Sequence, residues 1–216
     1  MTKIKICGLT TPEQARAAAE AGADFIGLVF AESRRRVDAA AARDIVRAAK
    51  EVKPDIEAVG IFVNETAATI KAVSEEAGLD RIQLSGNESV AFARDLPLPV
   101  LKVVHVRPEV EPDDIVREMD EADREFGKKE HLFLLDTHTK DKFGGTGESF
   151  DWYTARAVAE RFPIIVAGGL TPETVTAAVY TLRPWGVDVS SGVETNGKKD
   201  ADKIREFIRK VREYDA

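Results

Sequence analysis

Lys3-Ile4-Lys5-Ile6-Cys7-Gly8-Leu9-Thr10-Thr11-Pro12-Glu13 opens the chain with a short apolar run, a glycine and a helix start. The same grammar returns late, where Ile164-Ile165-Val166-Ala167-Gly168-Gly169-Leu170-Thr171-Pro172-Glu173 repeats the run, the glycine and the Thr-Pro-Glu. Threonine before proline offers an N-cap hydroxyl and puts proline at the first helical position, where its missing N–H costs nothing. Gln14, three residues after Thr11, adds the partner of a capping box. Each unit then leads through Gly-x-Asp into another apolar run, Gly22-Ala23-Asp24 in one case and Gly186-Val187-Asp188 in the other. A βα unit that echoes itself across the chain suits a closed barrel.

Outward from these two units the alternation continues from end to end. Strands are expected at 3–7, 24–30, 56–63, 81–84, 99–104, 131–135, 163–167 and 186–189. Amphipathic helices are expected at 12–21, 39–51, 65–77, 88–94, 112–126, 151–161, 172–181 and 200–213. Repeated βα units specify an α/β fold with a parallel sheet. Eight of each read as a (β/α)8 TIM barrel, a fold that runs as one domain at about 200–250 residues, here residues 1–216. An open doubly wound sheet is the alternative, but no Gly-x-Gly-x-x-Gly follows the first strand. The stretch 107–114, with Pro108 and Pro112, reads as a loop rather than a linker. The connection 136–150 is longer than most βα loops, as lids and binding loops are.

The chain has 216 residues, 44% hydrophobic and 32% charged, with a net charge of −7. That balance fits a soluble globular enzyme and argues against general affinity for nucleic acid or anionic membrane. One cysteine excludes an intrachain disulfide and a cysteine-built metal cluster. The three histidines, His105, His131 and His138, lack ligand spacing, so no metal site is expected. The start of the chain lacks a signal-peptide core and no apolar run approaches spanning length, which makes a cytoplasmic setting the expectation.

In such a barrel the loops after the strands' C-terminal ends converge on one face and carry the active site. The exits hold Cys7-Gly8, Ser33 to Arg36, Asn64, Ser85-Gly86, His105, Asp136, Gly168-Gly169 and Ser190-Ser191-Gly192. Phosphate is often held after strands seven and eight. There Gly168 and Gly169 let backbone N–H groups approach an anion, and Ser190, Ser191 and Gly192 add hydroxyl and amide donors. Either loop alone reads better as a tight turn; it is the two together in these positions that point to phosphate. Cys7 is either a small core hydrophobe or a base at the barrel mouth. As a base it must ionise from a reference pKa of about 8.5, which a neighbouring cation favours. Asp136 either caps a loop or, beside Leu132 to Leu135, keeps its proton and serves as a general acid. Arg34-Arg35-Arg36 is a solvated run or a carboxylate holder, and Gly144-Gly145-Thr146-Gly147 a turn or a cover over the site. Strand alternation puts Lys5 on the same inward face as Cys7. A buried ammonium needs a partner, and Asp188 on the strand that closes the barrel is the one expected, as a structural pair.

Several stretches together resemble one family. They are Lys5-Ile6-Cys7-Gly8-Leu9-Thr10, Val59-Gly60-Ile61-Phe62-Val63-Asn64, Leu134-Leu135-Asp136-Thr137, Gly144-Gly145-Thr146-Gly147 with Phe150-Asp151-Trp152, Ala167-Gly168-Gly169-Leu170, and Val187-Asp188-Val189-Ser190-Ser191-Gly192-Val193-Glu194. In order and over nearly the whole chain, they are similar to phosphoribosylanthranilate isomerases. The resemblance implies a (β/α)8 barrel that isomerises N-(5-phosphoribosyl)anthranilate to 1-(2-carboxyphenylamino)-1-deoxyribulose 5-phosphate in tryptophan biosynthesis, without metal or organic cofactor. It implies that Asp136 protonates the furanose ring oxygen and that Cys7 removes the proton from C2. Arg35 matches the family's arginine for the anthranilate carboxylate, with Arg36 as the alternative, and the two glycine and serine loops would take the phosphate. The family's Gln-Leu-His-Gly after strand four is here Gln83-Leu84-Ser85-Gly86, so the histidine's contact has no direct counterpart.

Rival readings are set apart by single residues. A histidine-pathway isomerase, or a bifunctional relative, has the same fold but uses an aspartate where Cys7 stands. A ribulose-phosphate epimerase needs a His/Asp metal set that this chain lacks. A phosphosugar-binding barrel without activity would not require both Cys7 and Asp136. Oligomeric state is left open by the sequence.

Overall fold

Each short strand buries both of its faces, and strand parity decides which residues reach the site. On β1 (Lys3–Cys7) the fully buried Ile4 and Ile6 face outward into the helical layer. Their neighbours Lys3, Lys5 and Cys7 alternate onto the inward face. The computed structural model describes residues 1–106, 111–136 and 152–215. After β1 come α1 (Pro12–Ala21), β2 (Phe25–Val29), α2 (Ala39–Val52), β3 (Glu57–Phe62), α3 (Ala67–Ala77), β4 (Arg81–Leu84) and α4 (Val90–Arg94). Then follow β5 (Val100–His105), α5 (Pro112–Phe126), β6 (His131–Asp136), α6 (Trp152–Arg161), β7 (Ile164–Ala167), α7 (Val175–Leu182), β8 (Gly186–Val189) and α8 (Ala201–Asp215). β1 to β8 form a closed parallel barrel in sequence order. The (β/α)8 reading stands.

Two apolar layers result. Phe25, Val59, Leu101, Val103, Leu134, Ile165 and Ala167 fill the barrel interior. A larger shell joins the outward strand residues to the helices, with Ile26, Leu28, Leu84 and Val187 meeting Ala15, Ile45, Ile70 and Phe207. Closure is made by β1 against β8, with Lys5 and Asp188 as register partners. The expected ion pair is present there. The Lys5 ammonium donates to Asp188 at 3.1 Å, and the Lys5 side chain is wholly buried.

The first helix begins as its sequence dictates. Thr11 Oγ1 accepts from the Gln14 N–H at 3.4 Å, and Gln14 reaches back to accept from the Thr10 N–H at 2.8 Å. Its echo behaves differently. Helix was expected from residue 172, but regular helix starts at Val175. Thr171 and Thr174 bond each other's backbone and hydroxyl groups, at 3.0 Å from the Thr171 N–H to Thr174 Oγ1, so residues 171–174 form a turn. Such local side-chain bonds compete with a helical first turn. β5 and β6 each run one residue past expectation because His105 and Asp136 pair with each other. A short 3-10 turn (Ser191–Val193) and a hairpin of β9 (Glu194–Thr195) and β10 (Lys198–Lys199) follow β8 and were not anticipated. The expected cover at Gly144 to Gly147 and the residues 107–110 and 137–151 lie outside the described residues.

Candidate active site

Cys7 ends β1 on the inward face, half-buried at the barrel's C-terminal mouth. Its register partner is Gly27. A Cβ at Gly27 would stand 2.9 Å from the Cys7 sulfur and 3.0 Å from its Cα, so the missing side chain is what gives the thiol its room. Burial pushes the Cys7 thiol above its ordinary value, and the Asp188 carboxylate adds to that, while the Lys5 and Lys199 ammoniums pull it back. Burial would lower Lys5, yet Asp188 and Cys7 hold its ammonium above the ordinary value. The interior below the thiol therefore carries a positive charge locked to a carboxylate.

Asp136 ends β6, half-buried, on the same inward parity as Leu132 and Leu134. It is flanked in register by His105 on β5 and Ala167 on β7. Asp188 lies within electrostatic reach of both ends of the site: it raises Cys7, and Asp136 in turn raises it. Thiol and carboxyl thus open on one mouth, with β7 and β8 between their strands in the ring. On the β4 side the Gln83 amide donates to Ser85 Oγ at 3.1 Å, while its buried carbonyl oxygen has no partner among the described residues. The exposed His105 ring lies 3.4 Å from the Ser85 carbonyl through Nε2. Among the described residues, no group of three or more His, Cys, Asp or Glu side chains is placed to hold a metal ion.

The loops after β7 and β8 are pressed together. Gly168 and Gly169 have φ of 103° and 66°, the left-handed region that glycine enters freely. A Cβ at Gly192 would fall 1.9 Å from the Leu170 carbonyl oxygen, so this contact admits only glycine. Ser190 donates its hydroxyl to the Cys7 carbonyl at 3.1 Å, which ties this loop to the end of β1. The five residues expected to bind phosphate therefore form one continuous rim beside Cys7.

Of the three arginines, Arg35 reaches the mouth. Its chain lies across Gly8, where a Cβ would meet Arg35 Cδ at 2.5 Å. Its guanidinium donates to Glu194 through Nε at 2.6 Å and Nη2 at 3.1 Å. Arg34 donates to the same carboxylate at 2.6 Å. Arg36 is exposed and lines a separate hollow of about 220 Å³ with Phe30, Phe62 and Thr69. Lys199, its side chain 1% exposed, donates to Glu194 at 2.7 Å and to the Ser190 carbonyl at 2.9 Å. Burial would raise the Glu194 carboxyl, but Arg35 and Lys199 hold it down at about 2.

A family model described as "N-(5'phosphoribosyl)anthranilate (PRA) isomerase" matches residues 4–210. The chain belongs to this isomerase family. A relative named N-(5'-phosphoribosyl)anthranilate isomerase, from Dehalococcoides mccartyi, is 46% identical over 100% of this chain and 98% of its own. The crystal structure of the phosphoribosyl anthranilate isomerase from Thermotoga maritima is similar with a TM-score of 0.84 at 36% identity, covering 99% of this chain and 100% of that one. A structure of such an isomerase in complex with reduced 1-(o-carboxyphenylamino)-1-deoxyribulose 5-phosphate is similar with a TM-score of 0.81 at 34% identity, over 99% and 100% of the two chains.

Against the isomerase pattern, this chain's imidazole comes to the mouth from β5 as His105, beside the Ser85 that stands after β4. Sequence reasoning missed Glu194 and Lys199. Both sit on the β9–β10 hairpin, whose turn residues Asn196 and Gly197 have φ of 51° and 77°. An Asn-Gly pair is the strongest short hairpin signal, and it would have brought Lys199 back beside Glu194.

Proposed function

We propose that this mouth isomerises N-(5'-phosphoribosyl)anthranilate to 1-(2-carboxyphenylamino)-1-deoxyribulose 5-phosphate, with Asp136 as general acid and Cys7 as general base. The observation that carries the reading is the shared mouth. Asp136 on β6 and Cys7 on β1 flank the two strands whose exit loops, Gly168-Gly169 and Ser190-Ser191-Gly192, offer amides and hydroxyls to a phosphate. A sugar anchored by its 5'-phosphate at those loops has its ring between acid and base. The neighbour solved with the reduced product analogue supports a phosphorylated ligand of this kind.

Asp136 gives its proton to the furanose ring oxygen as the C1–O bond breaks, and the anthranilate nitrogen lone pair forms the C1=N bond of a protonated Schiff base. The Cys7 thiolate takes the C2 proton, and the C–H electron pair becomes the C1=C2 bond of an enolamine as nitrogen regains its lone pair. Protonation of C1 and loss of the 2-hydroxyl proton give the ketose and reset both groups. Arg35 holds the anthranilate carboxylate, for which guanidinium geometry is suited. Its place across Gly8, with Arg36 turned to another hollow, supports Arg35 over Arg36. Residues 1–216 act as a single barrel in this reading, in the cytoplasm. No helix among the described residues is long and apolar enough to cross a membrane.

The test is turnover of freshly prepared substrate, followed through loss of its fluorescence. Cys7→Ser and Asp136→Asn are each expected to lower kcat by about 10²–10⁴-fold. Near-normal turnover in either variant would remove that residue's role. Turnover of the histidine-pathway aminoaldose in preference would favour the rival isomerase, and binding without turnover by the unaltered chain would reduce it to a phosphosugar binder.

A further inference from the structure

We propose that Glu194 is a positioning residue for substrate recognition: it locks Arg35 bidentately across the mouth and presents the outer edge of that guanidinium to the aromatic carboxylate. The inference deepens the proposed function and rests on its assignment of Arg35.

Among the described residues, four donors converge on this one carboxylate. Arg35 Nε and Lys199 Nζ reach Oε1 at 2.6 Å and 2.7 Å, and Arg35 Nη2 and Arg34 Nη2 reach Oε2 at 3.1 Å and 2.6 Å. The Glu194 side chain is 5% exposed and that of Lys199 1%, so the carboxylate and its Lys199 pair are shielded from water and held more firmly than surface pairs, while Arg34 reaches in from the solvent side. A guanidinium has five N–H groups in a fixed fork. Arg35 uses Nε and one hydrogen of Nη2 on Glu194, which, among the described residues, leaves Nη1 and the other Nη2 hydrogen as a second, end-on fork. That fork matches another planar carboxylate. Three cations share one anion here, so the cluster keeps positive charge for an anionic ligand.

The clamp also fixes where the fork stands. Arg35 can cross Gly8 only because residue 8 has no Cβ, which would stand 2.5 Å from the Arg35 Cδ. Glu194 follows the 3-10 turn that continues the Ser190-Ser191-Gly192 loop. Lys199 binds that loop at the Ser190 carbonyl, and Ser190 binds the Cys7 carbonyl. One carboxylate therefore references the carboxylate anchor to both the phosphate rim and the base. Without it, a long arginine with many rotamers would have to be ordered by the substrate itself.

The experiment compares inhibition by two ligands, reduced 1-(o-carboxyphenylamino)-1-deoxyribulose 5-phosphate and its phenylamino counterpart without the carboxylate. Unaltered protein should prefer the carboxylated ligand. In Glu194→Ala that preference is expected to fall about tenfold or more, while the ligand lacking the carboxylate binds within about threefold of normal. Glu194→Gln, which keeps one acceptor oxygen, should lie between, and serves if the alanine variant fails to fold. An equal loss for both ligands, or an unchanged preference, would overturn the proposal, since a merely structural role weakens both alike. Arg35→Ala separates the two layers. If it keeps the preference, the Arg35 assignment falls and the clamp with it; if it loses the preference while the Glu194 variants keep it, only the clamp falls.

Discussion

Cys7 is a single thiol whose surroundings pull its ionisation in two directions. Burial disfavours the thiolate and is the larger influence, so the thiol lies above its ordinary value, although Lys5 and Lys199 oppose the shift. A thiolate formed there is a stronger base than an ordinary one. As Cys7 is the only cysteine, alkylation reports it alone. The rate of reaction with iodoacetamide is expected to rise with pH through a midpoint above that of an ordinary thiol. Lys5→Met removes a cation that stabilises the thiolate and should move the midpoint further up. A midpoint below neutral pH, or a downward move in Lys5→Met, would contradict the account of this residue.

Among the elements, the exits of β7 and β8 work as one unit because Gly192 touches the Leu170 carbonyl where a Cβ would stand 1.9 Å away. Gly192→Ala must push the two loops apart and displace the amides and hydroxyls offered to a phosphate. Its inhibition constant for inorganic phosphate is expected to rise about tenfold, the loss of one charge-assisted hydrogen bond. An unchanged constant would show that phosphate binds elsewhere. Where elements begin and end was legible unevenly. Thr11 capped its helix as the residues predict. Thr171 did not start one, because Thr174 offers its hydroxyl to the Thr171 N–H and a turn takes the place of the first helical residues. The two threonines are three apart in sequence, so this competition was readable in principle.

For the whole molecule, the barrel and most of its mouth could be read because parity and strand ends are local properties of the sequence. Cys7, Asp136 and Ser190 follow from where an apolar run stops. Lys5 and Asp188 could be matched as well, since closure of an eight-stranded ring makes β1 and β8 neighbours. The Glu194 clamp could not, because Arg35 and Glu194 are 159 residues apart and no periodicity relates a loop to a loop. Ring closure makes its own prediction. Lys5→Met leaves a carboxylate buried at the β1–β8 seam and should destabilise the fold by about 3–5 kcal/mol, whereas adding Asp188→Leu should restore most of it. Denaturant melts of the two variants decide this, and equal losses would show that the pair does not act as a unit.

Proton removal at C2 by the thiol is the step on which the functional account turns. The direct measurement is cleavage of the carbon–deuterium bond in substrate labelled at C2, compared between the unaltered chain and Cys7→Ser. Cleavage in the variant is expected to slow by about 10²–10⁴-fold while phosphate-dependent binding stays. An undiminished rate without the thiol would contradict that role for Cys7.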